Sequence, residues 1–401
     1  MRILVHDYGG YPFILQLSRE LASRGHAVLH LSASGFRRPK AAMERRAHDS
    51  PDLSLASVTL DEPPRPSGWR RLTQERRYGR LLSRQIEAFR PNVVLSANSP
   101  LYVQASASAS AHAIGAASII WLQDLHSVAI ARITGRRIGM LGSVIGGWFR
   151  RTERALLREA DGVVAISPAY LQAIAEHGVP IEKVDVIENW APLDDAPPST
   201  KVNGWSIAHG LHDRPVLLYA GTLALKHNPK LLLELAVGVS DATVVVVSEG
   251  PGADWLLANG GGVENLRILP FQPYDRVAEM LASADVLVAV LEHDASTFSV
   301  PSKVLTYFVA GRAVLAAMPD DNPAARAIAQ AGAGIVVDPA DPRALVAGAR
   351  ALLADRDRLR SAGEAARTYA LASFAIGPIA DRFEAVVASA AHRSGARLST
   401  K

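Results

Sequence analysis

Residues suited to hold an anion recur at four places in the second half of this chain. They are Gly221 and Thr222 with Lys226, Glu249-Gly250-Pro251-Gly252, Phe271-Gln272, and Ser302-Lys303-Val304 behind Pro301. A helix opening at Pro301-Ser302 presents unpaired amides and the positive end of its dipole, and Lys303 adds a cation beside them. Singly, each group reads equally well as a turn or as a capped helix with one surface lysine. If all four lie on one edge of a sheet, a lysine, two glycine turns and a helix N-terminus describe a diphosphate pocket. The first half offers Gly9-Gly10 after an opening strand, where a ligand can approach the backbone closely, and Gln123-Asp124 after the apolar run Ser118–Leu122. Gln123 can hydrogen-bond a hydroxyl and Asp124 can accept a proton, although the same pair would also serve as a strand-end cap. His126 reads as a loop contact. Asp355-Arg356-Asp357 imitates a metal motif but falls in a solvated helical stretch, so no metal site and no cofactor are expected.

The elements that must position these groups are legible from periodicity. Short apolar runs rich in Val, Ile, Leu and Ala alternate with helical patterns throughout, the signature of buried parallel strands with crossover helices. Strands are expected at Arg2–His6, Ala27–Leu31, Val93–Ser96, Ser118–Leu122, Asp161–Ile166 and Val184–Ile187, and then at Val216–Tyr219, Ala242–Val247, Leu266–Leu269, Ala284–Leu291, Ala313–Ala317 and Ile335–Val337. Two helices should follow the last strand. Gln104–Ala117, almost entirely Ala, Ser, Gly and His, is expected as a helix packed closely through small residues, and Ser167-Pro168 as the cap of the next one. From Ala191 to Ser206 the texture changes to Pro, Asp, Ser and Thr, which marks an interdomain linker. The fold class is therefore α/β with two doubly wound domains, 1–195 and 196–375, and a helix over 376–401 that returns to the first domain with a frayed tail. In such sheets ligands bind at the carboxyl edge of the strands, where all the groups named above fall.

Composition narrows the classes. With 401 residues, 49% of them hydrophobic and 20% charged, the chain can bury a core in each of about two to three domains. No apolar run is long enough for a membrane span, and Met1–Tyr8 reads as a first strand, so a cytoplasmic protein is expected. Without cysteine there are no disulfides, thiolate ligands or thiol nucleophiles. The net charge of +4 conceals two basic clusters, Arg65–Arg90 around Trp69 and Tyr78, and Arg132–Arg158 around Met140, Trp148 and Phe149. Arginines interleaved with aromatics suit an anionic membrane surface, and solvated helix faces or a contact between domains would look the same. No nucleic-acid motif accompanies them.

At Leu122-Gln123-Asp124-Leu125, Ile187-Glu188-Asn189-Trp190, Gly221 with Lys226, and above all Pro301-Ser302-Lys303-Val304-Leu305-Thr306-Tyr307 ending at Ala310-Gly311-Arg312, the sequence resembles the retaining glycosyltransferases of family 4. These are GT-B enzymes, with two Rossmann-like domains facing a central cleft. The resemblance spans essentially the whole chain and is nearest to the bacterial exopolysaccharide branch typified by colanic acid glycosyltransferases and N-acetylfucosamine transferases. It implies an enzyme of hexosyltransferase type that moves a sugar from a nucleotide-diphosphate sugar to a lipid-linked saccharide, without metal, on the inner face of the plasma membrane. Domain 1–195 would be the acceptor side and 196–375 the donor side. Lys226 and the amides of Ser302, Lys303 and Val304 would hold the diphosphate, with Gly10, Gly221, Glu249 and Gly250 close by. Phe271 and Gln272 would border the base, and Gln123 and Asp124 would stand at the reacting centre. Two departures stand out. The family's paired glutamates are replaced by Phe298 and Thr306, and an arginine of the lysine loop by Thr222. A nucleotide-sugar epimerase of the same fold, or a catalytically idle binding protein, is the competing expectation.

Overall fold

The structure, a computed structural model, describes residues 1–34, 43–59, 69–97, 99–125, 146–223, 227–293 and 302–399. The chain divides into two compact units, Met1–Asn189 with Ile376–Lys401, and Trp190–Ala375.

In the first unit β1 (Arg2–Asp7), β2 (Ala27–Ser34), β3 (Leu53–Thr59), β4 (Val93–Ala97), β5 (Ala117–Leu122), β6 (Gly162–Ala165) and β7 (Val184–Val186) form one parallel sheet. Its order is β3-β2-β1-β4-β5-β6-β7, so β1 pairs on either side, Ile3 with Val28 and with Val93. The inner strands are buried along almost their whole length because helices cover both faces, whereas the edge strands β3 and β7 are only partly buried. These helices are α1 (Pro12–Ser23), α2 (Trp69–Phe89), α3 (Leu101–Ala113), α4 (described over 146–159) and α5 (Tyr170–Glu176). The small-residue stretch is helical, as its composition suggests, and begins at Leu101. Its small side chains let α3 approach α2 so closely that a Cβ on Gly79 would stand 2.3 Å from Ser106 Oγ. Tyr78, Leu82 and Ile86 of α2 fill the space against Val103, Ala107 and Ala111. The last helix, Ile376–Ser399, packs here too: Phe383 lies 4.6 Å from the Trp121 ring, and Arg24 binds Asp381 at 2.6 Å and Glu384 at 2.5 Å.

The second unit holds α6 (Gly204–Ala208), β8 (Val216–Ala220), α7 (Pro229–Gly238), β9 (Thr243–Val247), α8 (Pro251–Asn259), β10 (Leu266–Leu269), α9 (Val277–Ala282), β11 (Val286–Val290), α10 (Ser302–Ala310), β12 (Ala313–Ala317), α11 (Pro323–Ala331), β13 (Gly334–Val337), α12 (Pro342–Ala354) and α13 (Arg356–Ser373). The parallel sheet runs β10-β9-β8-β11-β12-β13. In both sheets the order reverses beside the first strand, and that switch point opens a crevice at the carboxyl edge.

Two helices, α12 and α13, follow β13 in this unit, as the sequence implies, and two other expectations need correction. Asp355 ends α12 and its carboxylate caps α13 by accepting the amides of Asp357 and Arg358, which commits it to the backbone. The linker read over Ala191–Ser206 is packed structure. Trp190, Ala191 and Ala196 are buried, and Asn203 closes a capping box that starts α6, with Trp205 in the core. Ser167 does not cap α5 itself: its Oγ accepts at 3.3 Å from the amide of Ala169, the residue before the helix, whose first residue is Tyr170.

Candidate functional site

Two groups of polar residues form, each at the carboxyl edge of its own sheet. In the second unit the centre is the start of α10 against the end of β8. Ser302 is exposed, Val304 is buried so that only its backbone can face a ligand, and Thr306 is half-buried. Lys303 folds back over the sheet edge with Nζ 3.6 Å from the centroid of Tyr219, a cation on an aromatic face. Gly221 lies against this lysine: its φ of 120° favours glycine, and a Cβ there would be in ordinary contact with Lys303 Nζ at 3.7 Å. Tyr307 fixes the helix in place: its hydroxyl accepts from Ala220 N at 3.0 Å and donates to Val288 O at 3.2 Å, pinning α10 across the switch point between β8 and β11. Burial raises both the Tyr219 and Tyr307 phenols, so both stay protonated donors.

The neighbouring loops are tied to one another. Tyr219 donates to Thr222 O at 2.9 Å, Leu223 N donates to Ser248 Oγ at 2.9 Å, and Gly252 N to Leu223 O at 2.9 Å. Thr222 and Glu249 are exposed on this rim, Gly250 is half-buried between exposed neighbours, and Glu249 accepts from Phe271 N at 3.2 Å. Gln272 has its side chain committed elsewhere. Its Oε1 accepts from Trp205 Nε1 at 2.9 Å and its Nε2 donates to Pro270 O at 2.9 Å. Of the expected residues the structure thus brings Gly221, Thr222, Glu249, Gly250, Phe271, Gln272, Ser302, Lys303, Val304 and Thr306 onto one sheet edge. Lys226, Pro301 and Phe298 lie outside the described residues.

In the first unit the switch point lies between β1 and β4. Asp7 ends β1, and its carboxylate accepts the amides of Gly9 (3.0 Å), Gly10 (2.8 Å) and Tyr11. The glycine turn is therefore shaped around an internal anion, and the Gly10 amide is spent on Asp7. His6 is fully buried between Ser96 Oγ (2.9 Å) and Tyr78 OH (3.0 Å), and burial, with His30 nearby, lowers its pKa to about 3. At the end of β5, Gln123 and Asn189 exchange amide hydrogen bonds of 3.1 and 2.6 Å, and Tyr170 OH donates to the Gln123 carbonyl at 3.0 Å. Asp124 beside them is exposed. A cavity of about 20 Å³ lies against Gln123, Asp124 and the buried Glu153. His126 lies outside the described residues. Gln123 is thus a held amide, and the Asp124 carboxylate beside it lies at the exposed end of the strand.

Sequence reasoning missed Tyr307, Trp205, His6 and Asn189 as organisers of these edges. Tyr307 and Asn189 stood inside quoted motifs, and His6, a polar residue inside an apolar strand, was itself a signal.

Residues 9–190 match the model of the glycosyl transferase 4-like domain, and residues 214–355 that of glycosyl transferases group 1. The chain is a two-domain glycosyltransferase of the GT-B fold. Among solved structures, this glycosyltransferase is similar to a sucrose-phosphate synthase from Thermosynechococcus elongatus, at a TM-score of 0.73 and 14% identity over 96% of this chain and 98% of the other. It is also similar to HepE of Anabaena in complex with UDP-glucose (0.67, 14%, 97% and 100%) and to WaaG, a glycosyltransferase involved in lipopolysaccharide biosynthesis (0.68, 15%, 94% and 98%). At such identities the likeness is one of fold. No curated protein matches the chain.

Proposed function

We propose that this glycosyltransferase takes a hexosyl group from a nucleoside-diphosphate sugar held on its second unit and passes it, with retention of configuration, to a lipid-linked saccharide in bacterial surface polysaccharide synthesis. One observation carries the donor assignment: Lys303, at the N-terminus of α10, is drawn over the carboxyl edge of β8 against Tyr219 and Gly221. A partly desolvated ammonium beside helix amides is what a departing diphosphate needs, and Lys226 adds a second cation in the family's pattern. HepE, of the same fold, is solved with UDP-glucose, which supports a nucleotide-sugar donor here.

Thr306 and Thr222 replace charged family residues, so ribose meets a hydroxyl and the diphosphate relies on the lysines and amides. The half-buried ring and the backbone of Phe271 border the base, since the side chain of Gln272 is held by Trp205. On the first unit Asp124 accepts the proton of the incoming hydroxyl, and Gln123, clamped by Asn189, hydrogen-bonds the sugar. The Gly10 turn shapes the first unit's rim through its backbone alone. The lysines and amides neutralise the leaving group without a divalent ion.

A product assay tests this reading. Incubation with nucleotide sugars and a polyprenyl-linked saccharide should give an elongated acceptor with the donor's anomeric configuration, in EDTA as in Mg²⁺. Conversion of the donor in the absence of acceptor would instead indicate an epimerase, and an unchanged donor under every condition a binding protein.

A further inference from the structure

The second unit carries a recess on the edge of its sheet opposite the donor loops. It lies at the amino ends of β11 and β12, between Pro198–Lys201 and one face of α13, with a volume of about 410 Å³. That volume is in the range of small-molecule sites, about 300–1,000 Å³. Five cations line it: Lys201, Arg312, Arg356, Arg360 and Arg367. The three arginines of α13 recur at helical spacing with Leu359 and Gly363 between them, so a single stripe of the helix faces the recess. Asp285 and Glu364 are the acids in the lining, and Asp357 holds Arg360 from outside it at 2.9 Å. Against those three carboxylates the five cations leave two positive charges uncompensated.

Arg312 distinguishes this recess from a solvated helix face. It is half-buried at the turn after α10, and its guanidinium is anchored by the carbonyls of Ser199 (2.8 Å) and Ala282 (2.6 Å). Its Nε is buried without a hydrogen-bond partner. Asp285, the nearest acid, is engaged by Lys201 at 2.5 Å and by Val216 N at 2.7 Å. Burial accordingly pulls the Arg312 pKa down. A desolvated cation held by carbonyls is costly unless an anion completes it. Arg367 is oriented similarly, by Val309 O at 2.8 Å, at the other side of the same turn. A phosphomonoester, with a charge of about −1.5 to −2 and three acceptor oxygens, matches both the charge surplus and the donors. Leu359, Ala284 and Ala313 supply apolar walls for the body of such a ligand.

We propose that this recess binds a phosphorylated small molecule, its phosphate held by Arg312, Arg356 and Arg367, at a site separate from the donor loops. The site abuts Gly311, the residue that follows the helix whose first turn carries Lys303.

Titration calorimetry on the full chain tests the site, with inorganic phosphate and a hexose 6-phosphate as probes. The ester should bind saturably with a Kd of about 1 mM or tighter. Arg356→Gln removes an exposed guanidinium and Arg367→Gln a second cation; each should weaken binding about tenfold while thermal unfolding shows a folded protein. Lys303→Ala, at the opposite edge, should leave the Kd within about twofold. Lack of saturable binding up to about 10 mM overturns the proposal. So does binding that neither arginine variant alters, or binding that Lys303→Ala abolishes, which would place the probe on the donor loops.

Discussion

Lys303 can lie over β8 because Tyr219 offers a ring face and Tyr307 locks the helix turn to both central strands. The sequence shows the lysine, Gly221 and the helix start. It does not show the tyrosine bridge, since Tyr307 and Ala220 are 87 residues apart and meet only once the switch point is built. The Gln123–Asn189 pair, 66 residues apart, was hidden for the same reason. His6 and His30 make a separate claim at this scale. Burial holds both near pKa 3, well below the ordinary 6.5, with His30 bound to Ser18 Oγ at 2.9 Å. Both are neutral in the fold and gain protons on unfolding below about pH 6.5, so the unfolded state binds more protons there and stability falls with pH. The contribution is fully present above pH 6.5 and is lost progressively toward pH 3, by up to about 1.4 kcal/mol per pH unit for each histidine. Urea unfolding from pH 7.5 to 5 should show this loss, and a His30→Asn variant should show a shallower slope. A pH-independent midpoint over that interval would contradict it.

Among the elements, the parallel strands were the easiest to read, because residues buried on both faces leave unbroken runs such as Thr243–Val247 and Val286–Val290. Helix ends were harder. The break between α12 and α13 is one residue, Asp355, acting as both stop and cap, and α6 hides in a stretch whose prolines and aspartates read as linker. The α2–α3 contact is the tightest test of packing. Gly79→Ala would drive a methyl to 2.9 Å from Ser106 Cβ as well as into its hydroxyl, and overpacking of this kind costs about 1–3 kcal/mol. The loss should appear as a lower denaturant midpoint, and Ser106→Gly in the same chain should restore most of it. A Gly79→Ala protein as stable as wild type would mean the helices stand farther apart.

At the scale of the whole molecule, the alternation of strand and helix, restarted after Trp190, made two doubly wound units legible, and the motifs at their carboxyl edges made a glycosyltransferase legible. The role of the basic cluster was not, because its residues are divided between helices far apart in the sequence and part of it lies outside the described residues. What is described joins α2, α3 and α4. Arg76 lies 5.4 Å from the Tyr102 ring, Tyr102 5.8 Å from Trp148, and Trp148, 46% exposed, 4.9 Å from Phe149, with Arg150 and Arg151 exposed beside them. Among the described residues no helix is long and apolar enough to cross a membrane. This patch is the proposed contact with an anionic leaflet, each arginine contributing about 1 kcal/mol. Wild type should float with anionic liposomes at low salt and release at high salt, and Arg76, Arg150 and Arg151 changed to glutamine should lower recovery. Equal recovery of variant and wild type would leave the patch without that role. The donor site is the central claim, and calorimetric titration of nucleoside diphosphates into wild type and Lys303→Ala measures it most directly. At least one diphosphate should bind wild type saturably and bind the variant about tenfold to a hundredfold more weakly, the worth of a charge-assisted contact of about 1.5–3 kcal/mol. Equal affinity of the two proteins for every diphosphate that binds would contradict the account.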